Sequence, residues 1–196
     1  MVHVRIEKLE EYAHENNIPI MQKDGIEFLT DYIKENNIKN ILEIGSAIGY
    51  SAIKMALVDK DIKITTIEKD KERYDIAVIN IENFNMQDRI NIIFGDALEI
   101  DLTDKYDLIF IDAAKSQYIK FFEKFEKNLN INGIIVSDNL SFHGLVEDDS
   151  KTNNRNTKQL VKKIRKYIEY LKDNNNYKTT FYKLGDGVAI SVKLTD

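Results

Sequence analysis

The 196-residue sequence contains no cysteine, a single proline (Pro19) and no long hydrophobic run. Without cysteine, this sequence offers no disulfide bonds, thiolate zinc ligands or cysteine nucleophiles. No apolar run approaches the roughly 20 residues of a membrane-spanning helix, and the N-terminal stretch MVHVRIEKLEEYAHENN has no apolar signal-peptide core. We therefore expect a soluble protein of the cytoplasm with no membrane partner.

The sequence also lacks an excess of basic residues. Its formal net charge is -5 at pH 7, so a nucleic-acid partner would have to bind a local basic patch. Hydrophobic residues make up 43% of the chain, which at this length is sufficient for one domain with its own core. We expect residues 1–196 to form a single domain in which residues 1–37 make an N-terminal helical cap.

Short apolar runs alternate with helical segments after two predicted helices at about 4–16 and 22–36. These runs lack the polar alternation of a half-exposed sheet, which favours a parallel sheet covered by helices on both faces. The predicted strands and the helices between them cover 40–45, 49–59, 62–68, 70–84, 90–96, 106–112, about 116–128, and 133–139.

The last part of the sequence has a different pattern. A long helix is predicted from about 155 to 172, and strands at 178–184 and 188–194 flank a Gly-Asp-Gly turn, which is typical of a hairpin. The sequence therefore predicts an α/β fold with an open, mostly parallel sheet of seven strands and an antiparallel hairpin strand near its C-terminal end.

Acidic residues stand at the ends of four of the predicted parallel strands. In an open α/β sheet, ligands bind outside the carboxyl ends of the strands, near the point where the strand order reverses. One acid at a strand end is an ordinary helix cap, but four at one rim indicate a binding site. They are Glu68, Asp96, Asp112 and Asp138.

The first strand ends instead in a glycine loop, EIGSAIGYS, which contains Gly45 and Gly49 and places Ser51 in the first turn of a helix. This spacing is not the dinucleotide fingerprint, and the acidic rim disfavours a pyrophosphate. Glu68 lies about 20 residues after the loop, where an acid hydrogen-bonds ribose hydroxyls in nucleoside-binding sheets. A ribose ligand without a pyrophosphate suggests S-adenosylmethionine, and a plain strand-to-helix turn is the alternative.

Asp112, Asp138 and Asn139 form a second cluster at the ends of the fourth and fifth predicted strands. Two carboxylates and an amide oxygen are hard ligands that suit Mg²⁺ rather than zinc. Lys115 follows Asp112 by three residues and can reach the same site, which makes it a candidate base. The alternative is that Asp112 caps the following helix and that Lys115 is a solvated neighbour.

Six stretches, found in order over nearly the whole chain, resemble the cation-dependent class I O-methyltransferases, the caffeoyl-CoA and catechol O-methyltransferase group: ILEIGSAIGYSAIKMA, TIEKD, GDAL, IFIDAAKSQY, SDN and GDGVAIS. Within that group the sequence is most similar to the bacterial tRNA 5-hydroxyuridine methyltransferases, on the stretches EEYAHENNIPIMQKDGIEFL and SFHGLVEDDSKTNNRNTKQLVKKIRKY. The resemblance implies a Rossmann-like methyltransferase fold. Related enzymes are often dimers, so a homodimer is expected.

The resemblance also implies a role for each matching position. Asp112, Asp138 and Asn139 would bind Mg²⁺, and Lys115 with Asp112 would be catalytic. The residues that would contact S-adenosylmethionine are Met21, Gly45, Ser51, Glu68, Asp96 and Asp112.

The implied reaction needs an acceptor with two neighbouring oxygens, one of them a hydroxyl, that chelate the metal. Catechol has such a pair, and so does 5-hydroxyuracil through O5 and O4, so the metal site cannot choose between them. The resemblance favours methylation of 5-hydroxyuridine to 5-methoxyuridine at the wobble position of a tRNA anticodon loop. A small catechol or a caffeoyl-CoA-like acceptor is the alternative. A non-enzymatic sensor of the cofactor is a third hypothesis, which would not require the metal residues or Lys115.

A local basic segment after the metal residues fits a tRNA partner. Its helix has an apolar stripe of Val161, Ile164, Ile168 and Leu171, which would leave the basic side chains outward. RNA phosphates would bind such a surface, and an ordinary solvated helix face is the alternative. The basic residues are Lys151, Arg155, Lys158, Lys162, Lys163, Arg165 and Lys166.

Two aromatic residues, Tyr118 and Phe142, flank the two metal segments. Either could stack on a flat acceptor ring, and core packing is the alternative for both. Among the three histidines, His143 is the one placed to contact a substrate, because it lies in the loop after the metal residues.

Overall fold

The computed structural model describes residues 2–194, in which two helices precede an alternating series of strands and helices. Within this range, no helix combines the length and the apolar character that crossing a lipid bilayer requires. The elements are α1 (Val2–Glu15), α2 (Lys23–Glu35), β1 (Asn40–Ile44), α3 (Tyr50–Leu57), β2 (Lys63–Glu68), α4 (Lys71–Asn83), β3 (Ile90–Phe94), β4 (Tyr106–Ile111), α5 (Tyr118–Phe125), β5 (Leu129–Ser137), α6 (Arg155–Asp173), β6 (Tyr177–Tyr182) and β7 (Val188–Lys193).

The seven strands form one sheet in the order β3-β2-β1-β4-β5-β7-β6. Strands β1 to β5 pair in parallel, whereas β7 runs antiparallel to both β5 and β6. The predicted open, mostly parallel sheet with an antiparallel C-terminal hairpin is therefore confirmed. The strand order reverses between β1 and β4, and open α/β sheets bind ligands at the carboxyl side of this point.

Neighbouring residues of the strands point into two cores, one on each face of the sheet. Ile41 of β1 belongs to a core with Leu29 of α2. The next residue, Leu42, belongs to the opposite core, which includes Phe122 of α5 and Ile164 of α6. The helices thus lie on both faces, as predicted, and the strands have continuous apolar runs because both of their faces are buried.

Two elements have a boundary that differs from the prediction by more than two residues. Strand β5 begins at Leu129, because the chain stays in the sheet through Asn132 and Gly133, a pair that resembles a turn in the sequence. Asn132 has a left-handed φ of +60°, and the register between β4 and β5 shifts in this region. The predicted helix at 116–128 is the α-helix α5 between two short 3₁₀ turns, Lys115–Gln117 and Glu126–Asn128.

Candidate active site

A cavity of about 340 Å³ opens at the carboxyl ends of β1, β2 and β4, and this volume is typical of small-molecule pockets. Lys115 and Asn139 border it, together with all six residues predicted to contact S-adenosylmethionine: Met21, Gly45, Ser51, Glu68, Asp96 and Asp112. The fold brings these residues to one place. Their individual contacts with a cofactor stay predictions.

The glycine loop, residues 45–49, carries the chain from β1 into α3. Gly45 has a φ of +94°, and a side chain there would collide with the backbone carbonyl oxygen of Asp112 at the end of β4. This conformation and this close neighbour both require glycine. The resemblance implies that Gly45 contacts S-adenosylmethionine, and the structure shows that the packing of two strand ends by itself requires glycine here.

Glu68, at the end of β2, holds the glycine loop in place. Its Oε2 accepts a hydrogen bond from the N–H of Ala47 at 2.8 Å, and its Oε1 accepts from the N–H groups of Lys69 and Asp70 at 2.9 Å each. An ionised carboxylate has about four acceptor sites, so these three bonds leave capacity for a ligand hydroxyl. Glu68 therefore fixes the loop and borders the cavity at the same time.

Glu43 of β1 is a fully buried acid for which the sequence predicted no role. The hydroxyls of Ser51 and Thr66 both donate hydrogen bonds to its carboxylate. Burial raises the pKa of Glu43 to about 7; the two hydroxyl bonds lower it, and the nearby charges of Asp112 and Glu68 raise it. Ser51 thus borders the cavity while its hydroxyl is bonded to Glu43. An acid inside the apolar run NILEIG was the signal that could have identified this group.

The three predicted metal residues converge at one point. Asp112 follows β4, and Asp138 and Asn139 follow the neighbouring strand β5. The Nδ2 atom of Asn139 lies 3.3 Å from Oδ1 of Asp112 and 2.9 Å from Oδ2 of Asp138. Asn139 has a left-handed φ of +63°, a conformation that asparagine tolerates better than most residues.

The electrostatics of this cluster favour a bound cation. Burial, and after it the neighbouring charge of Asp112, raises the pKa of Asp138 to about 8. Burial also raises the pKa of Asp112, while the ammonium group of Lys115 lowers it. Two adjacent carboxylates that are costly to ionise would be stabilised by a cation, and carboxylate and amide oxygens are the kinds of ligand that Mg²⁺ prefers. Within residues 2–194 no group of three or more His, Cys, Asp or Glu side chains suits a metal, so this set depends on the amide.

Lys115 begins the 3₁₀ turn that follows Asp112. Its Nζ lies 5.7 Å from the centre of the Phe142 ring, which belongs to the loop after the metal residues. The helix-cap interpretation of Asp112 is wrong, because Ala114 and Gln117 are the residues that precede the 3₁₀ turn and α5, and neither cap involves a side-chain hydrogen bond. Asp112 is instead directed to Asn139.

The two aromatic candidates have different positions. Tyr118 is buried, its ring lies 5.2 Å from that of Tyr167, and its hydroxyl donates to the backbone carbonyl oxygen of Asp138 at 3.1 Å. It therefore packs in the core, and its hydroxyl stabilises the backbone at Asp138. Phe142 is the aromatic side chain beside Lys115, and His143 next to it has a side chain that is 69% exposed.

Helix α6 lies beside the loop that follows the metal residues. Arg165 joins them, since its Nε donates to the carbonyl oxygen of Val146 at 2.8 Å and its guanidinium pairs with Asp149 at 3.0 Å. Arg165 was predicted to point outward with the other basic residues, whereas it is only partly exposed because it is bonded to this loop. The apolar face of α6 also includes the buried Tyr167, whereas Ile168 is only partly buried.

Comparisons with known proteins give a consistent result. A family model described as O-methyltransferase matches residues 2–194. A caffeoyl-CoA O-methyltransferase from Populus kitakamiensis is 31% identical over 176 residues, which are 85% of this chain and 75% of that protein. A crystal structure from Staphylococcus aureus, provisionally named caffeoyl-CoA O-methyltransferase, is 42% identical and covers 96% of this chain and 92% of its own, with a TM-score of 0.93. An O-methyltransferase from Bacillus cereus in complex with SAH is 28% identical, with coverages of 97% and 91% and a TM-score of 0.82.

Proposed function

The chain belongs to the O-methyltransferase family, and from this premise we propose that it transfers the methyl group of S-adenosylmethionine to an acceptor hydroxyl beside Asp112, Asp138 and Asn139. One observation carries the proposal. Asp112 borders the cofactor-sized cavity and is also part of the metal cluster, so a methyl donor and a metal-held acceptor would meet at this residue.

The cofactor would lie in the cavity between the glycine loop and Met21. Glu68 would accept hydrogen bonds from the ribose hydroxyls, for which its remaining acceptor capacity is sufficient. Asp96 and Asp112 would border the same ligand. The Bacillus cereus relative was crystallised in complex with SAH, which supports S-adenosylmethionine as the methyl donor here.

Asp112, Asp138 and Asn139 would hold a Mg²⁺ ion, which when bound makes a neighbouring hydroxyl more acidic. Lys115 is the candidate base for the hydroxyl proton, because it borders the same cavity. Methyl transfer would then break the C–S bond of the sulfonium and form a C–O bond, with S-adenosylhomocysteine as the leaving group. For Lys115 to take the hydroxyl proton, its amine must be unprotonated before the transfer. The fixed loops that carry these side chains would supply the orientation on which much of the rate depends.

We further propose 5-hydroxyuridine in the anticodon loop of a tRNA as the acceptor, with 5-methoxyuridine as the product. The basic surface of α6 supports this substrate, because Lys162, Lys163 and Lys166 are exposed and Arg165 of the same helix contacts the loop after the metal residues. Phosphates of an RNA bound at the active site would lie within reach of this surface.

A small catechol or a caffeoyl-CoA-like compound is the second candidate acceptor. The names of the Populus and Staphylococcus relatives favour it. The chemistry at the metal cluster would be the same, since both acceptors supply two neighbouring oxygens.

A comparison of two acceptors in separate reactions tests the proposal. The purified protein is incubated with isotopically labelled S-adenosylmethionine, Mg²⁺ and either tRNA that carries 5-hydroxyuridine or free catechol, and the products are identified by mass spectrometry. We expect 5-methoxyuridine to form and to require Mg²⁺. If catechol is methylated and the tRNA is not, the result would contradict the tRNA substrate. Transfer to neither acceptor would contradict both candidates.

A further inference from the structure

The Gly-Asp-Gly turn, residues 185–187, lies between two segments that border the active site. On one side it contacts the start of α2. The N–H of Gly185 donates to Oδ2 of Asp24 at 2.8 Å, and a Cβ on Gly185 would lie 3.4 Å from Oδ1 of Asp24 and 3.5 Å from Cβ of Gln22. Met21, which precedes Gln22, borders the cavity. This side of the turn therefore contacts the segment that borders the proposed cofactor site.

On its other side the turn contacts the loop after the metal residues. The carbonyl oxygen of Gly187 accepts a hydrogen bond from the N–H of Leu140 at 2.9 Å. Gly187 has a φ of +88°, and a Cβ there would lie only 2.8 Å from the backbone nitrogen of Ser141. Gly187 thus allows close approach to this loop, whereas Gly185 lies at ordinary contact distance from α2 and its φ of +54° is what favours glycine there.

Asp186, between the two glycines, is bonded to the same loop and is only 6% exposed. Its carbonyl oxygen accepts from the N–H of Ser141 at 2.7 Å, and its Oδ1 accepts from the N–H of His143. Its Oδ2 is buried, has no hydrogen-bond partner among residues 2–194 and lies 3.7 Å from Nδ1 of His143. A buried carboxylate is costly unless hydrogen bonds stabilise it, and here the N–H of His143 in this loop supplies one to Oδ1.

The loop, residues 139–146, needs such support because of its backbone conformation. Asn139, Phe142 and His143 have φ values of +63°, +48° and +59°, a region that non-glycine residues and above all a phenylalanine rarely adopt. Conformations of this kind persist only where the surroundings impose them. The result is that Asn139 reaches both aspartates and that Phe142 lies beside Lys115.

We propose that the turn 185–187 is a clasp that joins the cofactor side and the acceptor side of the site, and that Asp186 is a positioning residue for the loop 139–146. Asp186 acts through the backbone of Ser141 and His143, and Asp24 ties the clasp to α2. The effect of the clasp on catalysis rests on the proposed function, whereas its effect on the loop does not.

Hydrogen exchange measured by mass spectrometry on the full chain tests the clasp without any substrate. Asp186→Ala removes the acceptor for His143, so we expect exchange in peptides covering 139–146 to increase about tenfold or more, as for the loss of a hydrogen bond to a buried charge. Asp186→Asn keeps an oxygen at this position and is the matched control, with exchange within about twofold of wild type. Unchanged exchange in Asp186→Ala, or an equal increase over the whole chain, would overturn the proposal.

Asp24→Ala tests whether the turn joins the two sides. Asp24 is exposed, so its replacement leaves the core intact, yet it removes the bond to Gly185. If the turn is a clasp, exchange in 139–146 increases by at least about twofold, the lower limit of coupling between residues in contact. An increase restricted to the start of α2 would show that the two sides are independent and would overturn the clasp.

Kinetics separate positioning from general structural damage. We expect Asp186→Ala to lower kcat for methyl transfer by about tenfold or more, while the affinity for S-adenosylhomocysteine, measured by calorimetry, stays within about twofold. Asp186→Asn should recover most of kcat. Equal losses of kcat and of cofactor affinity would contradict a positioning role. If the wild-type protein methylates neither acceptor, the proposed function fails, and the exchange measurements still decide the clasp.

Discussion

Glu43 lies beneath the glycine loop, fully buried and bonded to the hydroxyls of Ser51 and Thr66. A carboxylate in this position is costly to ionise, which is why burial raises its pKa to about 7. Its two bonds join β1 to α3 and to β2 just before the loop begins. At the scale of one residue, a buried acid thus fixes the entry to the cofactor cavity and makes the stability of the fold depend on pH.

Replacement of Glu43 by glutamine should remove this dependence. Because the folded-state pKa of about 7 lies above the ordinary value of 4.5, the native state binds the proton more tightly, so stability falls as pH rises from about 4.5 to about 7 and is level above both values. The full difference corresponds to about 3 kcal/mol. The free energy of unfolding of Glu43→Gln, relative to that of wild type, should therefore increase as pH rises across this interval, as measured by urea unfolding at several pH values.

The comparison with wild type contains its own control. Asp112 and Asp138 also have raised pKa values, but they are present in both proteins, so the difference contains the contribution of Glu43 and its interaction with the nearby charge of Asp112. A difference in the free energy of unfolding that stays constant between about pH 5 and pH 8 would contradict the assignment of this dependence to Glu43.

Replacement of Asp138 by asparagine should abolish stabilisation by Mg²⁺. A ligand that binds only the native state adds about 2.7 kcal/mol at a concentration of one hundred times its Kd. We expect Mg²⁺ to raise the thermal midpoint of wild type and to leave that of Asp138→Asn unchanged. Asp173→Asn, at an exposed position at the end of α6, is a charge-matched control and should respond like wild type. Equal responses of the wild-type and Asp138→Asn proteins would place the cation elsewhere.

At the scale of elements, the parallel strands could be predicted because their pattern is unusually simple. Runs such as NILEI and YDLIFI are mostly apolar and lack polar alternation, since both faces of the sheet are covered. The start of β5 could not be predicted, because Asn132 and Gly133 have the composition of a turn and the neighbouring strand decides otherwise. Propensity is a weak guide wherever tertiary pairing determines the conformation.

The candidate site could be predicted only in part, for a related reason. Strand ends that meet at one rim can be inferred from topology, which is how Glu68, Asp112 and Asp138 were found. The roles of Arg165 and Asp186 could not be inferred, because their partners, Val146 and His143, lie in a loop without a periodic pattern. Side-chain contacts of this kind depend on loop conformation, which sequence spacing does not determine.

The basic surface of α6 should matter for tRNA and not for a small acceptor. Reversal of charge at Lys162, Lys163 and Lys166 removes phosphate contacts, and we expect kcat/KM for tRNA to fall by about tenfold or more while that for catechol stays within about twofold. The two values are measured on the same protein preparations, with and without added salt.

A matched variant separates this local effect from net charge. Lys34, Lys60 and Lys63 are exposed and lie at or before the starts of β1 and β2, on the side of the sheet away from the carboxyl ends. Reversal at these three positions gives the same net charge and should leave the tRNA reaction within about twofold. Equal losses in both triple variants would show that α6 has no specific part in binding RNA.

At the scale of the whole molecule, the sheet gathers groups that are far apart in the sequence. The cavity at its carboxyl edge is bordered by residues from Pro19 to Asn139, and the turn at 185–187 contacts the segments on both of its sides. The C-terminal hairpin therefore completes a site whose chemical groups all come from earlier in the chain. Variants that lose the contacts of this hairpin turn should therefore lose the ordered conformation of the loop 139–146 before they lose the packing of the core.

The most direct measurement is the nucleoside composition of tRNA from cells that lack this protein, determined by mass spectrometry. The same cells are then complemented with the wild-type protein or with Asp138→Asn. We predict that 5-methoxyuridine disappears and 5-hydroxyuridine accumulates, and that wild type restores the modification whereas Asp138→Asn does not. A level of 5-methoxyuridine that is unchanged by loss of the protein would contradict the proposed function.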